Sequence, residues 1–420
     1  MGFCFAFVWT EYYSSVITNP FFRKGNWVLI FLYIVLFHLF TNLYGGYRIG
    51  TERITDIVYS NWLTVCIVNA LTYLQISLIG RWFQAPVPIL MLTVFQIFFV
   101  VLWALFVNRI YFKMFSPKRL ICLYNGDDPS LIIGRFASRP DKFDVTRSIR
   151  VHPEDYDFYR YIDGSDGIVI YNISDQKTSE ILKYCVEKGI RYYLVPTLSD
   201  IILKTSDIIY LIDIPLFMSK NEGLYLGQRI IKRSFDIVVS FISLALFSPL
   251  MLIIAVLIKL FDRGPVMYTQ ERCTENGRQF RILKFRTMIV DAEKEGRALL
   301  ASENDPRVTP LGKVLRRFRL DEMPQLINIL RGDMSFVGPR PERPEIIEEY
   351  KKLVPEFDFR LNVKCGLTGY AQVLGKYNTT PEEKLKLDLI YIQTYSFLLD
   401  VKILLMTFKA VFSKESSQGV

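Results

Sequence analysis

Histidine is nearly absent from this 420-residue chain: there are two, His38 and His152, and none beyond. Imidazole therefore cannot act as general base or metal ligand in the C-terminal half, and a metal there must take oxygen ligands. The six cysteines, Cys4, Cys66, Cys122, Cys185, Cys273 and Cys365, form no C-x-x-C pair. That argues against a zinc site and a disulfide framework, and it fits reduced thiols on a cytosol-facing protein. Helix-turn-helix and RNP signatures are missing too, so no nucleic acid is expected as partner despite the net charge of +9, which suits an anionic lipid surface or an anionic small substrate equally well. Residues 1–18 are apolar and aromatic but lack a basic n-region and a cleavage site, so a signal peptide is not expected. An interfacial helix and a full span both remain open for them.

Apolar residues are abundant: 51% of the chain is hydrophobic and 22% charged, the mixture of membrane segments joined to soluble parts. Residues 27–43, 57–79 and 86–107 are long enough to span a bilayer. Arg109, Lys113, Lys118 and Arg119 follow the last of them and place the next segment in the cytoplasm, although Arg23 and Lys24 would then face outward. From 118 to 217 short apolar runs alternate with helical stretches. Residues 120–124, 167–171, 191–195 and 208–212 read as strands and 178–188 as a helix, a βαβ pattern with a parallel sheet. The first turn, Asn125-Gly126-Asp127-Asp128-Pro129, lacks G-x-G-x-x-G and puts acids where a pyrophosphate would sit, so the domain reads as Rossmann-like without a dinucleotide site.

A fourth apolar run, 237–258, has Ser248-Pro249 near its middle and basic residues at both ends, Lys232 and Arg233 before it and Lys259 and Arg263 after it. Proline breaks the helix ladder and the flanking cations favour one leaflet face, which together predict a re-entrant helix over about 236–260. Residues 391–412 are apolar but interrupted by Asp400, Lys402 and Lys409, the spacing of interfacial amphipathic helices.

The densest chemistry lies in residues 311–344, LGKVLRRFRLDEMPQLINILRGDMSFVGPRPERP. Asp321 and Glu322 precede Pro324, an apolar helical spacing and Gly332, so the acidic pair is expected at a helix N-terminus with Pro324 in the first helical position. Arg316, Arg317 and Arg319 come before the pair, and Arg340 and Arg343 follow in a stiff Gly338-Pro339-Arg340-Pro341 turn suited to bidentate phosphate capture.

These segments, with KRSFDIVVS, GPVMYTQERC, KFRTMIVDAE, VKCGLTGYAQV and EKLKLDLIY in that order over roughly the last 200 residues, resemble the bacterial sugar transferases, the monotopic phosphoglycosyl transferases. The resemblance implies Asp321 as nucleophile, Glu322 as ligand of Mg2+, and transfer of a sugar 1-phosphate from a UDP-sugar to undecaprenyl phosphate with release of UMP. The setting it implies is exopolysaccharide, capsule or O-antigen synthesis at the bacterial plasma membrane, with the catalytic domain facing the cytoplasm and a homodimer as assembly. Arg340 and Arg360 are candidate phosphate clamps by physical type and by resemblance, and Lys284 and Arg286 are further candidates. For Arg286 a snorkelling surface cation is an equal reading. Asp388 matches an acidic position the family retains. Tyr370, in the glycine turn of residues 366–373, can stack on uracil or sit in the core. Cys365 stands where the family usually has proline, and Cys273 in a turn that is commonly glycine-bearing, so neither is assigned a catalytic role.

A carboxylate of ordinary pKa, ~4, needs no base to activate it. Repulsion is the obstacle: two unit anions ~4 Å apart repel by roughly 4 kcal/mol at an effective dielectric of ~20. Mg2+ and arginine forks answer it. The fold class expected is an α-helical transmembrane bundle (1–115), a Rossmann-like α/β cytoplasmic domain (116–222) and a mainly α catalytic domain with a re-entrant membrane helix (223–420). Two other readings stay open: a decayed membrane scaffold for polysaccharide assembly, and a glycosyltransferase that releases UDP.

Overall fold

The computed structural model describes residues 1–15, 23–126, 128–152, 159–218, 223–262, 264–289, 305–375 and 379–412. Residues 290–293 of KFRTMIVDAE, Asp127 of the first turn and the expected boundary at 222 lie outside them. The chain divides into two units, Met1–Pro196 and Thr197–Val420.

In the first unit the three expected apolar runs are long helices, Arg23–Tyr44, Ile54–Ile79 and Val87–Met114, each long and apolar enough to cross a membrane by length and composition. Polar groups join them inside. Tyr33, Asn69 and Gln96 are buried, with Tyr33 Oη 3.0 Å from Asn69 Oδ1 and Gln96 Nε2 donating to Tyr33 Oη at 2.8 Å. An apolar solvent gives such groups no other partner, so the triad ties the three helices. The helical residues 2–13 pack Phe5, Trp9 and Tyr13 into the same cluster. At ~1.5 Å per residue they extend about 18 Å, short of a ~30 Å hydrocarbon core, so the described part of this segment is no full span.

The sheet that follows is parallel throughout, ordered β2-β1-β3-β4, with β1 Lys118–Tyr124, β2 Phe143–Arg150, β3 Gly167–Tyr171 and β4 Arg191–Leu194. β1 and β3 were legible as continuous apolar runs. β2, FDVTRSIR, was missed because it is an edge strand with polar residues alternating along it. Helix Asp175–Lys188 ends on Gly189 at φ +67°, the left-handed cap that glycine allows.

The next stretch departs from the parallel-sheet expectation. Residues 197–218 belong to the second unit: helix Leu198–Thr205 starts with a capping box between Thr197 and Asp200 and buries Ile201 against Cys273, Ile347, Phe357 and Leu389. The strand read at 208–212 is β5, Asp207–Leu211, and it pairs antiparallel with β6, Ile214–Met218, outside the parallel sheet.

The second unit is built on a 37-residue helix, Leu226–Asp262, with Pro249 inside it. Its early turns are pinned: Arg233 donates from Nη1 and Nη2 to the Ile329 and Leu330 carbonyls at 2.7 and 2.8 Å, and Asp236 Oδ1 accepts from Ser335 Oγ and Phe336 N, both at 3.1 Å. Its later turns bury Ile254 and Ile258 against Phe285 and Leu315. Between them Phe241, Ile242, Leu246, Leu252 and Ile253 are exposed. β7 Met267–Cys273 and β8 Gln279–Phe285 form an antiparallel hairpin, and the short parallel strands β9 Ser335–Val337 and β10 Gly366–Thr368 lie in the core.

The C-terminal stretch differs from the interfacial expectation over its first part. Tyr391, Ile392, Tyr395 and Ile403 are core residues, and Asp400 is 2% exposed, 2.6 Å from Lys232 Nζ. The polar interruption at Asp400 is one half of a buried ion pair.

Candidate active site

Asp321 and Glu322 occupy a single 3-10 turn, Leu320–Glu322. The residue before it, Arg319, has φ +54°, a left-handed backbone unfavourable for a side-chain-bearing residue, so strain sits at the entry to the turn. Pro324 is the N-cap of the following helix, Gln325–Arg331, one residue from the expected first helical position, so the pair lies just ahead of that helix N-terminus, and Gly332 closes the helix at φ +95° as the sequence predicts. Leu320 and Met323 pack on the cluster formed by Ile254, Ile258, Phe285 and Leu315, which seats the dyad directly against the long helix.

Cations converge on one of the two carboxylates. Lys284, on β8, donates to Glu322 Oε1 at 2.8 Å, and Arg340 Nη2 donates to the same oxygen at 3.2 Å. Burial alone would raise Glu322, but Lys284, then Arg340 and Arg319, hold it well below the usual carboxylate range. Asp321 is 9% exposed, and burial followed by the Glu322 charge pushes its carboxyl above the usual range. The ordinary pKa assumed from sequence is thus displaced by desolvation.

Arg340 is positioned from behind. Arg360, 2% exposed, binds Asp388 Oδ2 through Nε at 2.9 Å and Nη2 at 2.8 Å, and its Nη2 also donates to the Arg340 carbonyl at 3.0 Å. Asp388 is itself 1% exposed. The sequence reading makes Arg360 a candidate phosphate clamp; in the structure it and Asp388 face each other and the backbone of the Arg340 turn. Glu342, unremarked in the sequence, completes this group: Lys384 Nζ is 3.1 Å from its Oε1 and Arg360 Nη1 3.7 Å. Arg272, also missed, donates to the Pro341 carbonyl at 3.1 Å. Spacing along the chain gave no signal for partners 42 and 69 residues apart.

The glycine turn serves the same loop. A Cβ on Gly366 would meet Gly338 N at 2.1 Å, and one on Gly369 would meet Gly338 O at 2.2 Å. The glycines therefore let two backbone segments touch, joined by Gly338 N to Thr368 O and Gly366 N to Pro339 O, both 2.9 Å. Tyr370 packs partly buried on the core cluster, as the core reading has it, and Gln372, two residues on, lies with Oε1 3.3 Å from Arg340 Nη1. Arg286 is 7% exposed, which removes its reading as a surface cation. Burial pushes the Cys365 thiol up to about 12 and raises Cys273, so neither is a ready nucleophile.

Glu322 supplies hard oxygen donors, the type Mg2+ takes when substrate phosphates and water provide the rest. No group of three or more His, Cys, Asp and Glu side chains able to hold a metal occurs among the described residues.

Comparison with known proteins bears on this geometry. Residues 227–414 match the family model described as bacterial sugar transferase. A UDP-N-acetylgalactosamine-undecaprenyl-phosphate N-acetylgalactosaminephosphotransferase of Aeromonas hydrophila is 43% identical over 186 residues, 44% of this chain and 44% of its own. A UDP-glucose:undecaprenyl-phosphate glucose-1-phosphate transferase of Klebsiella pneumoniae is 40% identical over 209 residues, 48% and 44% of the two chains. These matches thus span less than half the length of those two relatives. The exopolysaccharide production protein ExoY of Rhizobium meliloti (strain 1021) is 41% identical over 194 residues, 43% of this chain but 84% of its own. With 84% of ExoY covered at that identity, and the dyad, KFRTM and GPRP segments folded around one turn, the chain belongs to the bacterial sugar transferase family.

Proposed function

We propose that the protein transfers a sugar 1-phosphate from a UDP-sugar to undecaprenyl phosphate by a two-step covalent route. The observation that carries this reading is the asymmetry of the dyad: Lys284 and Arg340 both bind Glu322, while Asp321 stands beside it without either contact among the described ion pairs. An oxygen of the Asp321 carboxylate attacks the sugar-bearing phosphorus of the donor, the bond to the bridging oxygen breaks, and UMP leaves with that electron pair. An oxygen of undecaprenyl phosphate then attacks the same phosphorus, and Asp321 departs as carboxylate. Asp321 thus starts and ends as the same group, without redox or a histidine base. The Arg340 fork and Lys284 offset charge on the phosphates, and Arg360 with Asp388 fixes the Arg340 loop. Mg2+, held by Glu322 and the donor phosphates, would supply charge neutralisation at the diphosphate.

The long helix is proposed to be re-entrant. Pro249 lies inside it, and both its early turns, through Arg233 and Asp236, and its late turns, through Ile254 and Ile258, pack on residues of the same unit, which supports this reading. The exposed apolar residues between them are the part available to lipid. The catalytic unit is placed at the cytoplasmic face of the bacterial plasma membrane, where nucleotide sugars are made, and exopolysaccharide, capsule or O-antigen synthesis is the proposed setting. The sheet of the first unit is read as a Rossmann-like spacer. A homodimer belongs to the same proposal and is tested by light scattering in detergent.

An assay with undecaprenyl phosphate and either UDP-glucose or UDP-N-acetylgalactosamine tests the function. Release of UMP that is lost in Asp321→Asn supports it. Release of UDP, or turnover unchanged in that variant, contradicts it, and no turnover with either donor favours the scaffold reading.

A further inference from the structure

We propose that Asn328 is a positioning residue that sets Lys284 on Glu322; its catalytic consequence rests on the transferase reading above. Asn328 lies on the helix Gln325–Arg331, downstream of the dyad, and is 1% exposed. Its Oδ1 accepts from Leu283 N at 3.0 Å and its Nδ2 donates to the Arg281 carbonyl at 2.9 Å. One partner is a donor and the other an acceptor, so the amide orientation is fixed by the bonds it makes. Nδ2 is also 3.5 Å from Asp333 Oδ2.

Those two backbone groups identify what the amide does. β8 pairs with β7 along one edge, and residues two apart offer their N–H and C=O along the other. Asn328 reads that open edge as an added strand would, at the residue immediately before Lys284. A two-stranded hairpin is marginal by itself, and side chains alternate along it. Phe280 and Ile282, on the same face as Lys284, are in the core cluster with Leu326 and Ile329 of the Asn328 helix. A slip by one residue would turn Lys284 away from the dyad. Apolar packing resists that slip, but packing is tolerant of small sliding, whereas a bidentate amide is not. Asn328 therefore couples two chemistry-bearing segments, KFRTM and LDEMPQL, that no short spacing connects in sequence.

The test compares two lysines in one unit of the full-length protein in detergent. Lys284 pairs with Glu322 at 2.8 Å and Lys384 with Glu342 at 3.1 Å, so each amine is shielded by a carboxylate. Limited acetylation with acetic anhydride, read by peptide mass spectrometry, should rise by about tenfold at Lys284 in Asn328→Ala and stay unchanged at Lys384. A rise at both or at neither overturns the proposal. Asn328→Asp keeps the acceptor and loses the donor; if the alanine variant does not accumulate, the same selective rise in it decides the matter. The second readout is kcat for UMP release. Asn328→Ala should lower it in the unmodified background and cause no further loss in Lys284→Ala, whereas equal losses in both backgrounds overturn the proposal. If the unmodified chain releases no UMP from UDP-glucose or UDP-N-acetylgalactosamine, the transferase reading fails, while the labelling ratio still decides the geometry.

Discussion

Arg360 Nη2 lies 3.0 Å from the backbone carbonyl of Arg340, so one guanidinium holds the peptide that carries another toward the dyad. Arg360 is in turn fixed by Asp388, both nearly inaccessible to solvent. Removing one member of a buried pair leaves the other charge uncompensated, at a cost of about 3–5 kcal/mol. Asp388→Leu should therefore lower the thermal midpoint by on the order of 10 °C. It should also reduce UMP release, because the Arg340 loop loses its support. Circular dichroism melts and the nucleotide assay check this; an unchanged midpoint would show that the pair is not buried as described.

The dyad makes opposite pH predictions for its two members. Asp321 is raised in the folded protein, so the native state binds its proton more tightly. Its contribution to stability is full below the ordinary carboxylate value of ~4 and is lost as pH rises through the folded value. Asp321→Asn should then melt higher than the unmodified chain at pH 7, with the gap closing toward pH ~4. Glu322 is lowered, so its contribution is present above its ordinary value and disappears as pH falls through the folded one. Glu322→Gln should melt lower at pH 7. The same sign of change in both variants would contradict the asymmetry.

Gly366→Ala asks whether the glycines serve backbone contact. Its Cβ would meet Gly338 N at 2.1 Å and Thr368 O at 2.5 Å, backbone atoms that cannot rotate away. Overpacking of this kind costs about 1–3 kcal/mol or more, and the displaced strand leads into Arg340. Denaturant titration should show that loss together with a raised KM for the donor; a neutral substitution would mean the two segments do not touch.

Much of this arrangement was legible because it is local. The long helices followed from apolar runs, the Gly332 stop from its position after a helical spacing, and the dyad from two adjacent acids between arginine clusters. The misses are non-local. Glu342, Arg272 and Asn328 act through partners on other elements, and Asp400 reads as a polar break in an apolar stretch because its partner, Lys232, lies 168 residues away in the chain. Arg360 and Asp388 were recognised as important, but only burial distinguishes a residue that touches a ligand from one that holds the residue that does. Residues 208–212 read as a strand of the parallel sheet, whereas β5 pairs antiparallel with β6, because a short apolar run carries no information about its neighbour.

Membrane topology has its own test. Cysteines placed at Gly227 and Lys259, in a variant lacking the six natural thiols, should both react with an impermeant maleimide only after the cell is opened. Accessibility from opposite sides would make the helix a span and rule out the re-entrant arrangement.

The most direct measurement is the intact mass of the protein after incubation with its UDP-sugar in the absence of undecaprenyl phosphate. The expected result is one added phosphosugar, mapped to Asp321, released on adding the lipid phosphate and absent in Asp321→Asn. Unmodified mass throughout, in a preparation that turns over when both substrates are present, would contradict the covalent route.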